Sequence, residues 1–340
     1  MPLPDVLRAA LAEADRHDLE KAMPRSTFRF GDLSVAMRLH PSPALQRLLP
    51  MMRSRGVKAP PSSAVIDVVG GDVSWLRKLL PPPDRRGRTL LRANEDIYYL
   101  WLNEADGYLT AIDRGAARGL VWFTHPDKIA SWHVARPFLH AIKGLSLPSP
   151  WTPIHAASVA LNGRGVLIAG LSGAGKSSIA MTCALRGWDY LGDDAVLVRA
   201  GPARVAALYN SARLREDTFS RFPGVMAACL RVSDDAGESK AEIDMALMRP
   251  LTVGEAEISA ILVPQPTDWT ELHLRPISRS ETLRKLMEAA QQSLIGDEPS
   301  TFAKLAAVVE RVPCYGLVAG GDPEQLSCAL SRLVEKRSAA

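Results

Sequence analysis

The eight residues Gly170-Leu171-Ser172-Gly173-Ala174-Gly175-Lys176-Ser177 constrain this chain more than any other feature. They fit GxxxxGK[ST] without deviation, and their setting agrees. Val166 to Ala169 reads as a buried-type strand directly before the loop, and Ser178 to Leu185 as a helix directly after it. Glycines let successive backbone N–H groups converge on phosphate oxygens, and a helix N-terminus adds positive partial charge. In such a loop Lys176 supplies a point charge to β/γ-phosphates, and Ser177 offers a hydroxyl to Mg²⁺. The spacing therefore points to ATP with Mg²⁺, bound along Gly170–Ser178 in an α/β domain.

What precedes the loop is unusual. Ile154 to Leu161 reads as one apolar strand, and Asn162-Gly163 is a strong two-residue hairpin signal. That turn pairs Leu161 with Arg164 and sets His155 opposite Gly170, at the start of the loop. After the helix, Arg186-Gly187 is a stop, and Trp188 to Val198 carries the acid pair Asp193-Asp194 between apolar stretches. Neighbouring strand residues face opposite ways, so both acids reach one site only if the chain bends, for which Gly192 is the candidate. One carboxylate suits Mg²⁺, and the other suits general-base work on an acceptor hydroxyl.

The stretch from His155 to Val198 resembles the catalytic core of the HPr kinase/phosphorylase family, which shares its phosphate-loop fold with the phosphoenolpyruvate carboxykinases. Glu257 to Pro264 resembles a core strand of the same group. The resemblance implies that Asp193 is the catalytic base and Asp194 holds the metal with Ser177. It also implies that His155 and Lys176 offset charge on the transferring phosphoryl group. The family's Arg-Gly-Leu-Gly element is missing, and Asn210 to Asp217 stands in its place. The chain is thus more similar to the divergent HPr-kinase-related group, which includes kinases of peptide natural products. The implied activity is transfer of the γ-phosphoryl group to a hydroxyl, with a serine of a peptide or protein ahead of a small molecule. A nucleotide-binding sensor or scaffold and a carboxykinase-like enzyme are the rival readings. Arg213, Arg215 and Lys240 are candidates for phosphate or substrate contacts, the two arginines sharing a face if their segment is extended.

The rest of the 340 residues sets limits. Hydrophobic residues at 47% and charged residues at 23% describe a globular chain with sizeable cores. A net charge of +4 is too small over this length to argue for a nucleic-acid groove. Cys183, Cys229, Cys314 and Cys328 form no CxxC or CxxH pair, so they read as reduced, packed thiols. No apolar segment is long enough for a membrane span, and the charged start lacks a leader pattern. The expectation is a cytoplasmic protein with no membrane partner, and homo-oligomerisation stays open.

Along the first half, helical spacing predicts a helix over 4–22, and alternation predicts strands from Phe28 to Leu39 around Gly31-Asp32. Residues 43–55 read as helical, and Pro60-Pro61 and Pro81-Pro82-Pro83 as punctuation. Three or four antiparallel strands follow from Thr89 to Thr124, with turns at Asn94-Glu95, Asp106-Gly107 and Arg114-Gly115. A helix is expected over 127–142. His17, His40, His125, His133 and His140 have no metal-ligand spacing. Leu147 to Pro150 reads as a linker, dividing an α+β domain with an antiparallel sheet (1–146) from the catalytic domain (150–338). Helices near 280–294 and 300–310, a strand at 312–318 and a helix from Pro323 to Lys336 close the chain, the last entered through Gly320-Gly321-Asp322.

Overall fold

A computed structural model describes residues 2–16, 25–53, 63–93, 98–235, 238–251, 253–265, 271–291, 298–319 and 323–336. The expected features at 17–22, Pro60-Pro61, Asn94-Glu95, 292–294 and Gly320 to Asp322 lie outside these residues. The described chain is α/β, with three sheets, and falls into two compact units that divide between Ser149 and Pro150.

In the first unit, helix Leu3–Arg16 forms because Leu3, Val6, Leu7, Ala10 and Ala14 recur on one face. That face is buried against Val69, Leu100, Leu109, Leu120 and Trp122 of a seven-stranded sheet. The strands are Arg25–Phe30 (β1), Leu33–Leu39 (β2), Ala64–Gly70 (β3), Arg88–Ala93 (β4), Tyr98–Asn103 (β5), Tyr108–Asp113 (β6) and Arg118–Phe123 (β7). Their order is β1-β2-β3-β7-β6-β5-β4. The four strands from β4 to β7 run antiparallel, as their short connections require. The sheet as a whole is mixed, which corrects the antiparallel expectation: β3 lies parallel to both β2 and β7. The run Ala64 to Gly70 lacks alternation because both of its faces are covered.

Two expected helices are broken. Of the expected helix over 43–55, the described residues 43–53 hold Pro43–Gln46 and a 3₁₀ turn at Leu49–Met51, interrupted by Pro50. Residues 127–142 divide into a 3₁₀ turn at Pro126–Lys128 and helices Ser131–Ala135 and Leu139–Ser146, parted at Pro137. His133 is buried and His140 partly buried among Trp101, Tyr108 and Trp132, and desolvation holds both imidazoles well below their usual pKa.

Asp67 on β3 is wholly buried, and its two carboxylate oxygens accept from Arg38 Nε and from Arg118 Nε, the latter at 2.8 Å. Removing Asp67 takes away the carboxylate that both arginines share, although Arg118 keeps Asp15 at 2.7 Å. Asp67→Ala is expected to lower unfolding free energy by about 3 kcal/mol, read by urea denaturation. A loss under about 1 kcal/mol would mean that water replaces the carboxylate without cost.

The second unit is built on Thr152–Ile154 (β8), Ala156–Leu161 (β9), Arg164–Ala169 (β10), Asp189–Gly192 (β11), Val196–Arg199 (β12) and Arg204–Ala207 (β13). Ser211–Arg215 (β14), Cys229–Asp235 (β15), Glu238–Asp244 (β16), Glu255–Pro264 (β17), Leu272–Pro276 (β18) and Cys314–Ala319 (β19) follow. Nine of these form a sheet ordered β11-β9-β10-β17-β13-β12-β8, with β19 on β17 and β18 on β19. β10, β17 and β19 are mutually parallel in sequence of neighbours. Alternation along β10 sends Val166 and Ile168 into one core, with helices Lys176–Leu185 and Pro323–Lys336. Leu167 and Ala169 enter the other, with helices Arg279–Gln291 and Glu298–Arg311. A separate three-stranded sheet, β14-β16-β15, packs Ala212, Leu214 and Ile243 into the first of these cores. No helix among the described residues is long and apolar enough to cross a membrane. The four cysteines are free thiols.

Candidate functional site

The hairpin across Asn162-Gly163 has the register that a two-residue turn dictates. Leu161 pairs with Arg164, and the ladder runs to Ala156 with Ala169. Asn162 and Gly163 both take positive φ (52° and 76°), the requirement of that turn. The strand expected from Ile154 to Leu161 is, however, two strands. The chain bends at His155, and Thr152–Ile154 pairs with β12 instead of β10. The bend releases His155 from the ladder one step before Gly170. Its backbone N–H bonds to Ala289 O (3.2 Å), and its ring lines a cleft beside the glycine loop.

The loop itself leaves β10 at Ala169 and enters the helix at Lys176. Gly173 (φ 80°) and Gly175 (φ 90°) occupy the left-handed region that favours glycine, and no atom lies within 4 Å of where a Cβ would stand. The loop is therefore an open cradle of backbone. Lys176 is buried beneath it, donating to Gly170 O (3.0 Å) and Leu171 O (2.9 Å). Burial pulls the Lys176 ammonium below its usual pKa, opposed by the nearby Asp193 and Asp194.

The acid pair follows β11, and neither acid lies on a regular strand. Asp194 takes φ 64°, a left-handed conformation that Asp tolerates better than most residues. The two carboxylates consequently do different things. Asp193 is 3% exposed. It accepts the Ser177 hydroxyl, its successor's N–H (3.0 Å) and the N–H of Arg213 (3.4 Å). Asp194 lines the cleft, with His155 Nε2 at 3.7 Å and Arg213 Nη1 at 3.8 Å from its carboxylate. His155 Nδ1 donates to the Asp194 carbonyl (2.9 Å), so the bend at one acid is tied to the bend at the histidine. A carbonyl only accepts, which puts a proton on Nδ1 and turns Nε2 toward the carboxylate.

Burial first, then repulsion from Asp194, pushes the Asp193 carboxyl up to about 7, against the bonds from Ser177 and Arg213 and the charge of Lys176. An unfolded Asp holds its proton only to about pH 3.9, so between there and pH 7 the folded state binds more protons. This contribution is present at low pH and is lost as pH rises toward 7. Asp193→Asn should therefore lose less stability than wild type between pH 5 and 8. The difference in slope is expected to be worth about 2–4 kcal/mol across the window, by denaturation of the ligand-free protein. Parallel profiles would contradict it.

The opposite wall comes from β14 and β16. Arg213 is buried, its guanidinium between Asp194 and Glu242 (3.9 Å), while Arg215 stands half exposed on the same face two residues on. Lys240 pairs across with Arg215 and also lines the cleft. The structure thus brings together Ser172, Gly173, Gly175, Lys176, Ser177, Ser178, His155, Asp194, Arg213, Arg215 and Lys240 around one cleft that opens to solvent. Asp193 sits beneath it. Two residues escaped sequence reasoning. Thr218 lines the cleft, and nothing local marks it. Glu242 is 1% exposed and shared by Arg213 and Arg231. The alternation of Lys240, Glu242 and Asp244 with Ala241 and Ile243 would have flagged its strand, though not its burial.

A divalent cation fits what is present. Two adjacent carboxylates, one buried against the Ser177 hydroxyl, repel each other beside an open backbone cradle. Among the described residues no group of three or more His, Cys, Asp or Glu side chains forms a metal cluster. Mg²⁺ needs none, since it commonly takes one or two carboxylates and completes its shell with phosphates and water.

No family model matches the chain, and no curated protein matches it. Among solved structures it is similar to the HPr(Ser) kinase/phosphatase from Coxiella burnetii. That likeness covers 55% of this chain and 97% of that one, at 14% sequence identity and a TM-score of 0.29.

Proposed function

We propose that this protein is an ATP- and Mg²⁺-dependent phosphotransferase that moves the γ-phosphoryl group to a hydroxyl acceptor. The single observation that carries the reading is the convergence of the glycine loop, Lys176, Asp194 and His155 on one cleft. Binding a nucleotide needs only the loop. A second acid at the cleft surface, held by a histidine and an arginine, suits chemistry.

In this reading ATP lies with its phosphates along Gly170–Ser178. Ser177 and Asp193 hold Mg²⁺, which supplies charge neutralisation at the phosphates. Asp194 accepts the proton of the acceptor hydroxyl as its oxygen attacks the γ-phosphorus and the bond to the β-phosphate oxygen breaks. Lys176, Arg213 and His155 offset the charge on the transferring group. The two acids thereby exchange the roles that the family resemblance implies. Asp194, not Asp193, lines the cleft, and three donors already engage the Asp193 carboxylate. The resemblance of His155 to Val198 to HPr-kinase-related proteins favours a serine of a peptide or protein as acceptor.

Calorimetry with ATP and Mg²⁺, followed by transfer of labelled phosphate to serine peptides and small hydroxyl compounds, tests the reading. Tight Mg²⁺-dependent binding with transfer is expected. Binding without any transfer would make the protein a nucleotide sensor, and no binding would end both readings.

A further inference from the structure

The cleft carries more positive charge than a nucleotide with its metal requires. Among the described residues lining it, Lys176, Arg213, Arg215 and Lys240 face a single carboxylate, Asp194. Two of these cations already have work at the reaction centre. Lys176 lies under the glycine loop, and Arg213 is buried between Asp194 and Glu242. Arg215 and Lys240 stand farther out on the same cleft wall. They are direct cross-strand partners in the β14–β16 ladder. Like charges directly opposite each other destabilise a sheet. One step inward, the same ladder pairs Arg213 with Glu242, an opposite-charge pair, so the strands are capable of the favourable arrangement. Arg215 also reaches Asp217 at 3.2 Å, but both side chains are more than half exposed, and an exposed pair of this kind contributes little.

Position along β14 gives the two cations a meaning. Arg213 and Arg215 share a face, with the inner one beside Asp194 and the outer one toward solvent. An acceptor held by its own charge at the outer pair would lie alongside Arg213, with its hydroxyl directed to Asp194. Resting on the phosphotransferase reading above, we infer that Arg215 and Lys240 form an anion subsite for the acceptor, which therefore carries a carboxylate or phosphate group close to the hydroxyl it offers. An anion between them would gain two charge-assisted contacts.

The test uses the full chain loaded with Mg²⁺ and the non-hydrolysable ATP analogue AMP-PNP, so that the glycine loop is filled. Glycerate, glycerol 3-phosphate and glycerol are titrated in turn by calorimetry. At least one of the two anions is expected to bind about 10-fold or more tightly than glycerol. Preference for glycerate assigns a carboxylate, and preference for glycerol 3-phosphate a phosphate. In Arg215→Gln and Lys240→Gln that preference should disappear, with affinity for the Mg²⁺-nucleotide changed by less than about threefold. Equal binding of all three compounds to the loaded protein overturns this inference alone. A parallel loss of nucleotide affinity in the variants also overturns it, since the pair would then serve the nucleotide. Failure of AMP-PNP to load overturns the phosphotransferase reading, and the subsite with it.

Discussion

Asp194→Asn is expected to lower phosphoryl transfer by about 10²–10⁴-fold, the usual scale for a general base, while nucleotide affinity stays within about threefold. The substitution keeps the shape of the side chain and removes its ability to take a proton. The backbone at 194 should survive, because Asn tolerates the left-handed conformation (φ 64°) as Asp does, and the His155 bond goes to the carbonyl rather than to the side chain. The companion variant should behave differently. Asp193→Asn removes charge beneath the cleft, beside the Ser177 hydroxyl, so it should weaken Mg²⁺-dependent nucleotide binding first and transfer as a consequence. Initial rates of ATP consumption, with water or a supplied hydroxyl compound as acceptor, are to be read alongside calorimetric affinities for both variants. If Asp193→Asn abolishes transfer with binding intact and Asp194→Asn is nearly silent, the roles follow the family resemblance and the cleft lining has misled.

Lys176→Met is expected to weaken Mg²⁺-ATP binding by about 10–100-fold, the loss of one or two charge-assisted hydrogen bonds. Methionine keeps the apolar stem, so the buried volume beneath the loop changes little. In the ligand-free protein the ammonium is held by Gly170 O and Leu171 O, both at the loop itself. Its reach to a phosphate therefore requires only that these bonds be exchanged, at small cost. Adenosine, which has no phosphates, supplies the control: its affinity should not separate the variant from wild type. Equal affinity of both proteins for Mg²⁺-ATP would remove Lys176 from the phosphate site. The loop would then be a glycine turn with a structural lysine under it.

Local rules carried the sequence reading where neighbours along the chain decide the outcome. Backbone sterics require Gly173 and Gly175 to be glycine in an open loop, and Asn162-Gly163 sets the β9–β10 register through its two positive-φ residues. The helix after the loop and the buried face of Leu3–Arg16 follow from spacing alone. Tertiary structure decided the rest through partners distant in sequence. His155 leaves the ladder because β8 pairs with β12, some 40 residues on, and its ring meets the Asp194 carbonyl there. Asp193 is buried because Arg213, 20 residues away, brings a backbone N–H to it, and that contact leaves Asp194 to face the cleft. The parallel placement of β3 between β2 and β7 depends on crossovers that leave no period in the sequence. A turn or a helix face is fixed by contacts a few residues apart, which a sequence displays directly. The division of labour between two adjacent acids depends on which side meets solvent, and only the folded chain has sides.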